Sequence, residues 1–142
     1  MLTGSCHCGS LQLSFANTLD PAQLPLRACA CSFCRRHGAR TTSDPNGHVE
    51  ITVRDKGYLS RYQFALLTAE FLVCKRCGVY VAAVMTGEND ELYATVNTNA
   101  LDARGQFTQN PVTVNYEGED AASRVARRRV SWTPATIVWV RA

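Results

Sequence analysis

The chain has 142 residues, 46% of them hydrophobic, and a formal net charge of +3, which is enough to fill one core and too small a basic excess to demand a nucleic-acid partner. No stretch is apolar for long enough to span a bilayer, and Met1 to Ser10 lacks the basic and then apolar run of a secretory leader. The expectation is a single domain over residues 1–142 in the reducing cytoplasm, a setting that suits free or metal-bound cysteines better than disulfides.

In chain order, the first cluster is Cys6-His7-Cys8-Gly9, with Gly4 and Gly9 supplying turns around it. Period-two alternation then predicts a strand over Leu11–Phe15. Asn17 to Leu26 carries Pro21 and Pro25 and no period, so it reads as a connection to Cys29-Ala30-Cys31-Ser32-Phe33-Cys34-Arg35-Arg36. Ser32–His37 fits one helical turn stopped at Gly38. After the turn signal Asp44-Pro45-Asn46-Gly47, strands are expected over Val49–Val53 and, past Asp55-Lys56-Gly57, over Tyr58–Phe64. Phe71–Val73 leads into the third cluster, Cys74-Lys75-Arg76-Cys77-Gly78, and Val79–Met85 leads out of it. Gly87-Glu88-Asn89-Asp90 turns the chain into Leu92–Val96.

Hairpin succession without strand-helix-strand alternation predicts a mainly β fold of antiparallel sheets with few short helices. Asn99–Ala103 reads as a short helix capped by Asn99 and stopped at Gly105, and Val112–Tyr116 as a strand. A helix is expected over Asp120–Arg128. Its acidic start and the basic end at Arg127, Arg128 and Arg129 suit the helix dipole, an ordinary structural reason for three arginines in a row and an argument against a nucleic-acid surface. Thr136–Val140 closes the domain as a strand, with Trp132 and Trp139 as packing residues.

The three clusters use all seven cysteines. An odd number cannot form a complete disulfide framework, and a bridge across C-x-C closes a small, strained ring. Zinc fits better, with four protein ligands at a structural site and three plus an exchangeable position at a catalytic one. C-x-C and C-x-x-C are half-sites, and two of them close one site. The contiguous Cys29, Cys31 and Cys34 suit the open site, which leaves Cys6, Cys8, Cys74 and Cys77 for the closed one. A zinc-ribbon pairing of Cys31 and Cys34 with Cys74 and Cys77 satisfies the same ligand rules. His37 is also placed to complete a site with the triplet, and His7 sits inside the first cluster.

The combination of Gly4-Ser5-Cys6-His7-Cys8-Gly9, Cys29 to Arg36, and Cys74-Lys75-Arg76-Cys77-Gly78-Val79-Tyr80, followed by Val96-Asn97-Thr98-Asn99-Ala100-Leu101, resembles the glutathione-dependent formaldehyde-activating enzymes, or S-(hydroxymethyl)glutathione synthases, and the related centromere protein V group. The resemblance covers residues 4 to about 101. It implies a β-tent fold with two zinc ions per chain, the outer clusters holding a structural ion and the central triplet a labile, catalytic one.

Three thiolates leave zinc with a net negative charge, which weakens it as a Lewis acid toward water but still allows an incoming thiol to lose its proton and stay nucleophilic. The consistent chemistry is addition of a small-molecule thiol such as glutathione to an aldehyde such as formaldehyde, and its reverse, a carbon-sulfur lyase-type reaction. Arg35 and Arg36 are candidates for binding carboxylates of a tripeptide thiol. His48, Tyr80 and Asn97 are candidates for donating to the developing alkoxide. The contrasting reading is a zinc-stabilised module that binds a protein or nucleic acid without catalysis, with every metal site closed.

Overall fold

The computed structural model describes residues 1–140. Its strands and helices run β1 (Leu2–Ser5), β2 (Leu11–Ala16), β3 (Arg27–Cys29), α1 (Ser32–His37), β4 (Thr41–Thr42), β5 (His48–Val53), β6 (Leu59–Tyr62), β7 (Glu70–Cys74), β8 (Tyr80–Thr86), β9 (Leu92–Asn97), β10 (Val112–Val114), α2 (Ala121–Ser131) and β11 (Thr133–Trp139). The fold is mainly β, as the hairpin pattern predicts. No described helix is long and apolar enough to cross a membrane.

The strands form one sheet that divides at β9. One side of β9 pairs with β8, whereas its other partners are β11 along Leu92–Ala94 and β4 along Val96–Asn97. Three arms leave this ridge: β11-β5-β2-β1, β4-β3-β10 and β8-β7-β6. Most pairings are antiparallel, but β5 with β11 and β3 with β10 are parallel, which makes the sheet mixed. Both parallel partners come from the C-terminal part of the chain and return to strands laid down early. Alternation within a strand reports which face is buried and says nothing about so distant a neighbour.

Leu11, Leu13 and Phe15 of β2 stand directly opposite Val53, Ile51 and Val49 of β5, and all six are almost completely buried. Each such side chain contributes about 1.5–3 kcal/mol by leaving water. Strand β8 differs, because every residue from Tyr80 to Met85 is buried. A strand with no polar face must be covered on both sides. One side of β8 packs Val81, Ala82 and Val84 into the core made by β2 and β5. The other packs Tyr80, Ala83 and Met85 against Cys34 and Trp132.

That assignment breaks strict alternation, and the cause is a bulge. Leu72 pairs with Ala82 and Val73 with Tyr80, so Val81 is an extra residue without a partner on β7. A bulge of this kind re-aims the side chains beside it. Without it Tyr80 would share a face with Ala82 and Val84; with it, Tyr80 joins Ala83 and Met85 on the opposite face.

Several elements differ from expectation. The short strands β1, β3 and β4 carry too few residues for a readable period. Strand β6 ends at Tyr62, and beyond it Ala65 and Leu67 take positive φ, which no extended strand accommodates. Asn97, rather than Asn99, caps the turn that follows β9: its side chain accepts from Asn99 N, and the helix is a single 3-10 turn over Thr98–Ala100. Gly105 lies inside a second such turn, Arg104–Gln106. Helix α2 begins after Asp120, whose Oδ1 accepts from Ser123 N at 2.7 Å, and continues to Ser131. Its arginines do not form a solvated face: Arg128 is buried, and Arg127 makes two hydrogen bonds to Glu119. Trp132 is a core residue, whereas Trp139 is half-exposed beneath Arg61.

Asp44 ties three segments together. Its carboxylate accepts from Thr18 N, Thr18 Oγ1 and Asn46 N at 2.7, 2.6 and 3.0 Å, and its own N donates to Thr133 Oγ1 at 2.8 Å. Burial works against the charge, and these donors more than offset it, holding the carboxyl below its ordinary 3.8. Asp44→Ala is expected to cost about 3 kcal/mol at pH 7, because buried donors lose a charged acceptor. A depressed carboxyl contributes stability above its unfolded value and loses it as the pH falls through the native one. Urea unfolding of both proteins should therefore show a constant gap above about pH 5 that narrows in stronger acid; an equal gap at every pH would contradict the assignment.

Candidate metal centres

The first cluster lies in the turn between β1 and β2. Cys6 N donates to Leu11 O and Gly9 N to Cys6 O, at 2.9 and 3.2 Å. The third lies between β7 and β8, where Gly78 N donates to Cys74 O at 2.8 Å and Cys74 N to Val79 O at 3.0 Å. In both turns the residue after the last cysteine has positive φ, 84° at Gly9 and 80° at Gly78. Only glycine takes this conformation without strain, and it folds the chain back so that both thiols of a knuckle point one way.

The sheet brings these two knuckles together. Cys6, Cys8, Cys74 and Cys77 have all four Sγ atoms within 4.8 Å of one another, with Cys6 to Cys8 at 3.8 Å and Cys8 to Cys74 at 3.6 Å. A tetrahedral zinc with bonds of about 2.3 Å needs sulfurs about 3.8 Å apart. The donor set fits zinc, and Cys6 and Cys74 are buried. Burial pushes the Cys6 thiol up to about 12, while the hydroxyl of Ser10, 3.2 Å away, brings Cys8 down to about 6. A cation would remove the penalty of gathering four such groups.

The central cluster is built differently. Cys29 ends β3, Cys31 caps α1 with its Sγ accepting from Cys34 N at 3.3 Å, and Cys34 is buried within the helix. Gly38 caps the other end in a left-handed conformation. The three Sγ atoms lie within 4.8 Å of one another, and no histidine or carboxylate among the described residues joins them. His37 instead packs against Phe33, its ring tilted by 41° with centroids 4.5 Å apart, and His7 lies outside both groups. The zinc-ribbon pairing does not form, because Cys74 and Cys77 sit with Cys6 and Cys8. Hydrogen bonds from Cys29 and then Cys34 hold the Cys31 thiol down to about 2. Cys29 and Cys34 are pushed up, each chiefly by holding a proton for a neighbouring sulfur. Three thiols gathered this closely suit a divalent cation, which would favour their thiolate forms.

This triad opens on a cavity of about 450 Å³. Phe71, Tyr80 and Trp132 line its apolar part, and Arg27, Arg124, Arg127 and Arg128 its polar part. Tyr80 Oη is buried without a hydrogen-bond partner. Burial first, and then the three thiols, raise Tyr80 well above its ordinary 10.0, so it keeps its proton. The four-cysteine cluster contributes nothing to the lining.

The other sequence candidates fall elsewhere. Arg35 and Arg36 are exposed and absent from the lining, and Arg36 Nη1 donates to Ser32 O at 3.2 Å. His48 is exposed at the start of β5, within 3.0 Å of Thr136 Oγ1. Asn97 is buried outside the cavity, where its Nδ2 donates to Tyr80 O at 3.0 Å and so holds the bulged end of β8. The sequence alone did not single out the cavity arginines, although Arg27 precedes Cys29 by two residues on one strand, and Arg124, Arg127 and Arg128 have the spacing of one helix face.

A family model described as glutathione-dependent formaldehyde-activating enzyme matches residues 1–117. The chain belongs to this family. A Rhodobacter sphaeroides protein of known crystal structure shares the fold, with a TM-score of 0.53, 24% identity, and 97% of this chain and 99% of that chain covered. Comparison with curated proteins gives no match. Residues 118–142, including α2, lie beyond the match to the family.

The two centres should respond differently to loss of a ligand. Cys74→Ser is expected to remove one metal equivalent and lower Tm by more than about 10 °C, because a centre closing two distant knuckles contributes folding energy. Cys31→Ser should remove the other equivalent with a much smaller change in Tm. Metal analysis and calorimetry on the same samples check both, and equal losses of Tm would contradict a division into structural and open centres.

Proposed function

We propose that the protein is a zinc-dependent enzyme that adds a small thiol, glutathione or a relative of it, across the carbonyl of an aldehyde such as formaldehyde, and catalyses the reverse carbon-sulfur cleavage. The observation that carries this reading is the contrast between the two centres. Four thiols close on themselves away from the cavity, whereas three thiols face it with room for one more ligand. Family membership supports the same chemistry.

Cys29, Cys31 and Cys34 would hold the ion. Zinc there would lower the pKa of an entering thiol while leaving its sulfur nucleophilic. In the addition, the sulfur lone pair forms the carbon-sulfur bond, the carbonyl π electrons move to oxygen, and the proton released by the thiol ends on that oxygen. Tyr80, protonated and without a partner, is the donor for the developing alkoxide. Phe71 and Trp132 exclude water, which favours the hemithioacetal over competing hydration of the aldehyde.

Tyr80→Phe should leave the metal content unchanged and lower kcat about 10²-fold, the usual effect of removing one donor to an oxyanion. The assay follows adduct formation from a panel of thiols and aldehydes above the uncatalysed rate. Failure of the zinc-loaded protein to accelerate any pair, together with a cobalt-substituted triad whose spectrum ignores added thiol, would replace this reading with a closed, non-catalytic zinc module.

A further inference from the structure

The polar wall of the cavity carries more positive charge than its own residues neutralise. Four guanidiniums line it, from Arg27, Arg124, Arg127 and Arg128, against the carboxylates of Glu117 and Glu119. Glu119 is taken by Arg127, through hydrogen bonds of 2.9 and 3.1 Å, and by Arg124 at 3.5 Å. Arg27 and Arg128 have no carboxylate within 4.0 Å among the described residues. Arg27 donates to Ser43 Oγ at 3.0 Å. Arg128 is 8% exposed, lies over the Trp132 ring with its Cζ 4.7 Å from the centroid, and donates from Nη1 to Thr68 Oγ1 at 2.8 Å. Its Nε has no partner.

An unpaired buried cation is costly, and a chain that keeps one beside a cavity normally completes it with a ligand. The cost is visible in Arg128, which burial pushes down to about 10. The face of its guanidinium is taken by Trp132 and one terminal nitrogen by Thr68. What remains is Nη2, which makes no hydrogen bond among the described residues and can donate to a carboxylate oxygen, with the unpartnered Nε enclosed beside it. Arg128 lines the same cavity as Cys29, Cys31, Cys34 and Tyr80, which sets the cation and the thiols on one binding space.

The geometry points to an anion subsite formed by Arg128, with Arg27 lining the same cavity, that binds a carboxylate of the substrate while the substrate's sulfur lies at Cys29, Cys31 and Cys34. This rests on the proposed thiol chemistry and adds the residue that recognises the substrate's negative charge. It also moves anion recognition from Arg35 and Arg36, which face solvent, to a helix that the family match does not reach.

The test is calorimetric titration of the zinc-loaded protein with glutathione, its diethyl ester and S-methylglutathione, repeated with Arg128→Gln, Arg128→Lys and Arg27→Gln. The free acid should bind at least about tenfold more tightly than the ester, since a charge-assisted pair contributes about 1.5 kcal/mol or more. That ratio should approach one in Arg128→Gln, recover in part in Arg128→Lys, and fall in Arg27→Gln. S-methylglutathione, which keeps the carboxylates and lacks the thiol, should show the same dependence on Arg128. Equal binding of acid and ester by the unsubstituted protein overturns the subsite without requiring any variant to fold. So does a folded Arg128→Gln protein that still prefers the acid, or one whose sole defect is loss of metal from the triad, which would make Arg128 a counter-charge to the thiolates. If the acid is preferred through Arg128 while the spectrum of a cobalt-substituted triad ignores glutathione, the subsite stands and the thiol chemistry falls.

Discussion

The fold depends on covering both faces of β8. Six consecutive buried residues, Tyr80 to Met85, leave that strand no solvent side, so the chain must supply one packed layer above it and another below. The first layer is the aliphatic pairing of β2 with β5. The second is assembled from α1, the loop after β6 and the C-terminal part of the chain, which leaves a cavity where its pieces meet. The strand also joins the two metal centres: Cys77 and Gly78 lead into it from the closed cluster, and the bulge at Val81 turns Tyr80 toward the open one. A single extra residue thus decides whether a tyrosine is core filler or part of a site.

The metal centres were the most legible feature, because ligand chemistry is local and knuckle spacing fixes which thiols point together. Which half-sites pair was less so. Two pairings satisfied the same rules, and the choice depends on β1 and β7 arriving at one end of the sheet, a long-range outcome spanning 66 residues between Cys8 and Cys74. The strands with clear alternation were equally legible, and α1 matches its expected bounds because Gly38 marks its end. Partners in parallel pairs were not, since β10 and β11 look like any other short strand until they find β3 and β5.

The substrate candidates show a different limit. Arg35 and Arg36 follow Cys34 directly, but a helix turns each residue by about 100°, so when Cys34 faces inward its two successors point away. Asn97 looks like a site residue in the sequence and acts through the backbone of Tyr80 instead. Conversely, the three arginines read as the basic end of a helix do not share one environment. Helix geometry separates them: Arg128 turns inward onto Trp132, Arg127 covers Tyr116 and holds Glu119, and Arg129 remains near the surface beside Glu91.

The candidate metal ligands and the arginine wall of the cavity come largely from different stretches of the chain. All seven cysteines and Tyr80 lie within the residues that match the family, whereas Arg124, Arg127, Arg128 and Trp132 lie beyond them. The thiol triad is fixed by short-range geometry, a strand end and one turn of helix. Three of the four arginines in the wall facing it belong to α2, which contributes none of the thiols. The positive charge of the cavity wall therefore comes chiefly from the C-terminal helix, through Arg124, Arg127 and Arg128, with Arg27 of β3 added from within the matched residues.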